Sequence, residues 1–181
     1  PFLASPVIDG QRVFAGGMDS VMYAVNLADG TVAWKFATRG PIRSTATIAG
    51  DNIYFSGGDG SIYCLEKNSG KVKWSFASAG GILGERRYDA ADYFDSQPVV
   101  YQEKLVVGSG DGKLYALDCI TGKLLWLFQA GDIIHTTPVV ANDRVIFGAF
   151  DGNLYALDMD GILRWKFKSA GHRYFPKGEM Q

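Results

Sequence analysis

The feature that most constrains this chain is a motif repeated in register four times. In its fullest form it is Asp111–Phe128, DGKLYALDCITGKLLWLF, and it recurs as Asp19–Phe36, Asp59–Phe76 and Asp151–Phe167. The tyrosines Tyr23, Tyr63, Tyr115 and Tyr155 are 40, 52 and 40 residues apart, and the tryptophans Trp34, Trp74, Trp126 and Trp165 are 40, 52 and 39 apart. A period near 40 with glycine turns inside each unit is the signature of a repeat architecture, in which each unit buries its apolar faces against its neighbours.

Each unit reads as four short strands. In the third unit these are Gln97–Tyr101, Leu105–Ser109, Lys113–Leu117 and Leu124–Phe128, with turns at Gln102-Glu103, Asp111-Gly112 and Thr121-Gly122. Asp-Gly between β-rich runs signals a hairpin, because glycine accepts the positive φ that a tight turn demands. The middle strands are almost continuously apolar, which predicts cover on both faces. The fourth alternates: in Arg164–Lys168 two aromatics point one way and three cations the other, the pattern of a half-buried strand. No helical periodicity is present. Four-stranded antiparallel units of this length predict an all-β fold, a propeller with blades at about 4–36, 44–76, 96–128 and 136–167. An insertion occupies 80–95, and a tail, 168–181, reads as the start of a fifth blade.

Composition narrows the function. Hydrophobic residues make up 47%, charged residues 20%, and the net charge is −1. That balance argues against a nucleic-acid partner, which needs a clustered basic excess. No apolar run reaches the ~18 residues of a membrane-spanning helix. Cys64 stands where the other units have Ala24, Ala116 and Ala156, so it is expected to pack as a small apolar residue. A disulfide to Cys119 is not expected, since the repeat supplies no obvious facing positions for the pair.

Motifs that suggest chemistry are better read as structure. Gly108–Lys113 resembles a phosphate loop but leads into no helix, and its counterparts show a repeating turn. The Asp-Gly turns carry one acid each, too few for a calcium loop. His135 and His172 sit in equivalent inter-unit loops without partner ligands for zinc and are expected to hydrogen-bond at the blade ends. Serines beside the prolines recur once per unit, so they are structural; no residue is proposed as catalytic, cofactor-binding or metal-ligating.

Symmetry breaks at one place. The third unit is preceded by 12 extra residues within Gly80–Asp95, GGILGERRYDAADYFD. The loop entering a first strand shares a face with the Asp-Gly turns, whereas the Thr-Gly turns fall opposite. The insertion is therefore expected to rise above the Asp-Gly face near Arg39, Arg43 and His135. Arg86, Arg87, Tyr88, Asp89, Asp92, Tyr93 and Asp95 there, with Arg39 in the preceding loop, are candidates for partner binding, because Arg and Tyr often anchor interfaces.

The pattern Ala-x-Asp-x-x-Thr-Gly-x-x-x-Trp, present as Ala116–Trp126, resembles the tryptophan-docking motif of the pyrroloquinoline-quinone (PQQ) repeat family. Ala156–Trp165 matches with one residue fewer, Ala24–Trp34 has Asn26 in place of the Asp, and Cys64–Trp74 has Glu66. The resemblance covers the whole chain and implies a seven- or eight-bladed ring, of which four blades are present, with Trp34, Trp74, Trp126 and Trp165 docking the blades structurally. The run Asp92–Val100, following an Arg-containing insertion, is similar to the acidic loop of the BamB type of outer-membrane assembly lipoprotein. That type docks a membrane-barrel partner through an Arg-Gly in one inter-blade loop and acids in the next. Arg39-Gly40 and Asp95 fall in corresponding loops, with Asp92 one residue out of step.

The resemblance implies a non-catalytic scaffold that binds a protein partner in the periplasm or cell envelope, without a cofactor. Open propeller edges add an expectation of self-association. Two other readings stay open. One is part of a quinoprotein dehydrogenase, which stacks its quinone between a Trp and a vicinal disulfide; here the cysteines are 55 positions apart. The other is the extracellular sensor domain of a membrane kinase.

Overall fold

In a computed structural model, residues 1–78 and 96–170 are described, and they form sixteen strands in four antiparallel sheets of four. Blade 1 comprises β1 (Val7–Asp9), β2 (Arg12–Gly16), β3 (Val21–Asn26) and β4 (Val32–Ala37). Blade 2 has β5 (Thr47–Ala49), β6 (Asn52–Ser56), β7 (Ser61–Glu66) and β8 (Val72–Ala77). Blade 3 has β9 (Val99–Tyr101), β10 (Lys104–Gly108), β11 (Lys113–Asp118) and β12 (Leu124–Gln129), and blade 4 has β13 (Val139–Ala141), β14 (Arg144–Gly148), β15 (Asn153–Asp158) and β16 (Leu163–Lys168). Strands pair in chain order within each sheet, as short hairpin connections require.

First strands of neighbouring blades touch, β5 against β9 and β9 against β13, and the Thr47 hydroxyl donates to Pro98 O across one such contact at 2.5 Å. First strands therefore lie nearest the axis, and fourth strands face outward. The hydroxyls heading the first strands explain the recurrence of Ser and Thr. Ser44 Oγ donates to Ser56 O (3.0 Å) and accepts from Ser56 N–H (2.9 Å), and Thr136 Oγ1 does the same with Gly148 at 2.9 and 3.0 Å. Ser96 Oγ accepts from Gly108 N–H at 3.1 Å.

The core lies between blades, in three apolar layers. Between blades 2 and 3, Tyr54, Cys64 and Trp74 pack against Leu105, Val107, Tyr115, Leu117 and Cys119. The other two layers repeat the scheme on either side. Both cysteines are free and buried in this shared layer. Cys64 is fully buried opposite Trp74 in the register, the place held elsewhere by alanine. Burial pushes both thiols up to about 11.

A β-bulge interrupts each β3/β4-type pairing one step after the residue opposite the tryptophan, between Ala24/Val25, Cys64/Leu65, Ala116/Leu117 and Ala156/Leu157. The indole then reaches the next blade. Trp34 Nε1 donates to Lys67 O at 2.9 Å, Trp74 Nε1 to Cys119 O at 3.0 Å, and Trp126 Nε1 to Met159 O at 2.9 Å. Each ring lies on a turn glycine of that blade. A Cβ on Gly70, Gly122 or Gly161 would come within 2.7, 2.5 and 2.7 Å of the indole, and all three glycines have positive φ. Only glycine serves both needs.

The alternation expected for β16 meets a different outcome. Trp165 and Phe167 are exposed along with the cations, because no further blade covers that face among the described residues. The 80–95 insertion and most of the 168–181 tail, including His172, lie outside the described residues.

Candidate functional site

The Asp-Gly face is built from the turns joining second and third strands and from the loops between blades. Each turn Asp accepts from the N–H two residues on: Val21 (3.3 Å), Ser61 (3.0 Å), Lys113 (3.0 Å) and Asn153 (3.0 Å). Its second oxygen accepts from the tyrosine four residues on. Tyr23, Tyr63 and Tyr115 donate to Asp19, Asp59 and Asp111 at 2.6 Å, and Tyr155 donates to Asp151 in the same way. Sequence reasoning treated these acids as turn formers only. The signal it passed over is the Asp-x-x-x-Tyr spacing, present in all four units.

The same carboxylates hold the incoming inter-blade loop. Asp59 accepts from Arg39 N–H at 3.0 Å, and Asp151 accepts from Gly131 N–H at 3.1 Å. Around Arg39, the Thr38 hydroxyl donates to Gly40 O (2.7 Å) and Gly58 N–H donates to Pro41 O (2.8 Å). Ile42 N–H donates to Gly17 O at 3.0 Å, and the Ile42 side chain is fully buried. Residues 38–42 are thus fixed at five points while the Arg39 side chain is exposed. In the equivalent loop between blades 3 and 4, Phe150 N–H donates to Ile133 O at 2.9 Å. The His135 ring packs edge-on against Phe150 at 4.7 Å, with Nε2 buried and without a hydrogen-bond partner.

Electrostatics follow burial. Tyr63 is pushed up to about 12, first by desolvation and then by its bond to Asp59. At the exposed end, the bond from Tyr23 holds Asp19 below the usual carboxylate range. Asp151 is also lowered: burial pushes it upward, but the hydrogen bonds from Tyr155 and Asn153 outweigh that.

On the opposite face, Asp118 accepts from Thr121 N–H (2.7 Å), Thr121 Oγ1 (2.8 Å) and Ile120 N–H (3.0 Å), which lowers its pKa and rigidifies the turn beneath Trp74. A cleft of 260 Å³ on this side is lined by Asp9, Gln11, Arg12, Phe14, Lys67 and Asn68. Its charges are spent internally: Arg12 donates to Asn68 O at 2.6 Å, and Lys67 pairs with Asp9 at 2.5 Å.

Of the sequence-predicted partner residues, Arg39 is placed on the Asp-Gly face. Arg86, Arg87, Tyr88, Asp89, Asp92, Tyr93 and Asp95 lie outside the described residues. Among the described residues no cluster of three His, Cys, Asp or Glu side chains could hold a metal ion, and no helix is long and apolar enough to cross a membrane.

A sequence profile for the family described as outer membrane protein assembly factor BamB matches residues 1–93 and 87–176. No curated protein sequence matches the chain. Among solved structures, the fold is similar to BamB from Moraxella catarrhalis, with a TM-score of 0.75 and 23% identity, over 91% of this chain and 49% of that one. The chain thus spans about half the length of that BamB. It is similar to quinohemoprotein alcohol dehydrogenase from Comamonas testosteroni, with a TM-score of 0.75, 15% identity, 93% of this chain and 35% of that one. It is also similar to the computationally designed Ika4 protein, with a TM-score of 0.70, 15% identity, and 87% and 91% of the respective chains.

Proposed function

The chain belongs to the family of outer membrane protein assembly factor BamB, and from that membership we propose that it is a non-catalytic protein-binding scaffold of the cell envelope. Its partner surface is the Asp-Gly face, and the partner belongs to outer-membrane protein assembly. The observation that carries this reading is the loop at Arg39, whose backbone is pinned through Asp59, Gly40 and Gly58 while its guanidinium stands in solvent. A cation presented on a pre-ordered loop loses little entropy when it meets a carboxylate, the economy that rigid recognition loops exploit. Arg86, Arg87, Tyr88, Asp89, Asp92, Tyr93 and Asp95 extend the same surface in this reading, and the periplasm is the compartment the family membership supports.

The dehydrogenase reading gains less support. Trp34, Trp74 and Trp126 each spend the indole N–H and a ring face on the neighbouring blade, so they offer no free platform for a quinone.

The test is capture of detergent-solubilised outer-membrane assembly barrel by the immobilised chain. Reversing charge at Arg39, or at Arg86 and Arg87 together, should weaken capture while leaving the melting temperature nearly unchanged. Capture indifferent to all three reversals would remove the Asp-Gly face from the account. Unfolding on reversal of Arg86 and Arg87 would make that loop structural.

A further inference from the structure

The junction between blades 2 and 3 departs from its neighbours at one buried spot. It carries Tyr54, Cys64 and Cys119 where the junction before it has Phe14, Ala24 and Lys67 and the one after it has Val106, Ala116 and Met159. Tyr54 is 2%, Cys64 0% and Cys119 6% exposed, and all three belong to one apolar layer. The Tyr54 hydroxyl gathers the spot. It accepts from Asn52 Nδ2 at 2.9 Å, donates to Cys119 O at 3.3 Å, and lies within hydrogen-bonding reach of both thiols. Three departures from the repeat thus converge on two sulfurs that share one hydroxyl as a neighbour.

The same junction differs in its connection. Residues 38–46 join blade 1 to blade 2 and 130–138 join blade 3 to blade 4, whereas the longer stretch 78–98 joins blades 2 and 3. A longer connection tethers its two ends less closely, so bringing these blades together costs more chain entropy. In the chain-entropy account a covalent link offsets that cost most where the loop it closes is long, and Cys64 and Cys119 are 55 positions apart.

We propose that Cys64 and Cys119, free in this structure, are the reduced form of a redox pair, and that a disulfide between them staples blade 2 to blade 3. The oxidant is itself a disulfide, that of glutathione or of a thiol oxidase. One cysteine thiolate attacks a sulfur of the oxidant, forming a mixed disulfide and releasing one thiolate. The second cysteine thiolate attacks the protein sulfur of that mixed disulfide and releases the other. The two protein thiols lose two electrons and two protons, and the oxidant leaves as two thiols. Burial sets when this happens. Only a thiolate attacks, and burial raises both thiols from 9 to about 11, so the closed junction holds about a hundredfold less thiolate than an exposed pair. The bond therefore forms as the chain folds, and the closed junction then shields it from reductant. Both sulfurs lie inside the row of described blades, and the staple is independent of the partner-binding reading.

The test unfolds the chain with its thiols reduced and refolds it in glutathione buffer, once oxidising and once reducing. The oxidised product should carry no thiol that reacts in denaturant and should be lighter by two hydrogens. Its digest should show one link within the chain, between the peptides holding Cys64 and Cys119. Its melting temperature should stand roughly 5–15 °C above that of the reduced product. Cys64→Ala and Cys119→Met, which install the residues of the next junction, Ala116 and Met159, should fold and lose the redox dependence of melting. Two reactive thiols after oxidising refolding, a link only between chains or to glutathione, equal melting temperatures for the two products, or redox-dependent melting that survives Cys64→Ala would each overturn the staple.

Discussion

Trp74 and Trp165 occupy the same position in the same motif, yet one is 8% exposed and the other 44%. Nothing local separates them: both stand opposite a small residue, Cys64 or Ala156, just before a β-bulge. What differs is that, among the described residues, a neighbouring blade presents a carbonyl and a glycine beneath Trp74 and none does so beneath Trp165. A blade of this repeat is therefore half of a structure, and its stability resides in the junction as much as in its own hydrogen bonds.

The comparison can be broken most forcefully at the tryptophans. Trp74→Ala should cost roughly 3–5 kcal/mol through lost packing between blades 2 and 3, and Trp126→Ala a similar amount. Trp165→Ala, measured by denaturant unfolding, should cost no more than about 0.5 kcal/mol. Equal losses at the three sites would erase the distinction between closed and open faces.

Glycines sharpen the same contrast from the acceptor side. Gly122→Ala must place a Cβ 2.5 Å from the Trp74 indole on a backbone with φ +71°, and we expect a loss of about 2–4 kcal/mol from strain and overpacking together. Gly30→Ala meets the strain without the clash and should lose only about 1–2 kcal/mol. Equilibrium unfolding of the pair gives the difference directly.

Turn acids come next. Asp59 is 7% exposed and accepts from Tyr63, Ser61 and the incoming Arg39 loop. Asp19 is exposed and serves Tyr23 and Val21 only. Asp59→Ala should cost about 2–3 kcal/mol, and Asp19→Ala at most about 1.

The smallest expected effect is alkaline. Tyr63 is raised from 10 to about 12, so the fold favours its neutral form. The stability this lends is fully present below pH 10 and is lost as pH rises through about 12. Melting temperature should therefore fall across that window, and Tyr63→Phe should flatten the fall.

Much of the fold was legible in the residues because the repeat reports its own period. Tyr and Trp spacings located the blades, and Asp-Gly and Thr-Gly located the hairpins, since those turns need a positive φ that few residues accept. Less legible was what each motif residue touches beyond its own unit. The Thr-Gly glycine, read as a turn former, is also the floor for the previous blade's indole, and the turn Asp is also the anchor of an inter-blade loop. Both contacts cross between units, and hydrophobic periodicity records only contacts within one. Blade 1 adds a variation on the turn: Ser20 takes φ +67° where Gly60, Gly112 and Gly152 stand in later units. Of the candidate partner surface, the sequence put Arg39 in an inter-blade loop but did not foresee that Asp59 holds its backbone. The 80–95 insertion has no counterpart in the other units, so repeat logic gave its ends and an expected face but none of its contacts.

The claim that junctions hold this fold is tested most directly by hydrogen exchange of the four indole N–H groups, followed by NMR in dilute solution. The account predicts slow exchange for Trp34, Trp74 and Trp126, whose N–H groups are bonded to Lys67, Cys119 and Met159 carbonyls, and fast exchange for Trp165. Four indoles exchanging at one common rate would contradict it.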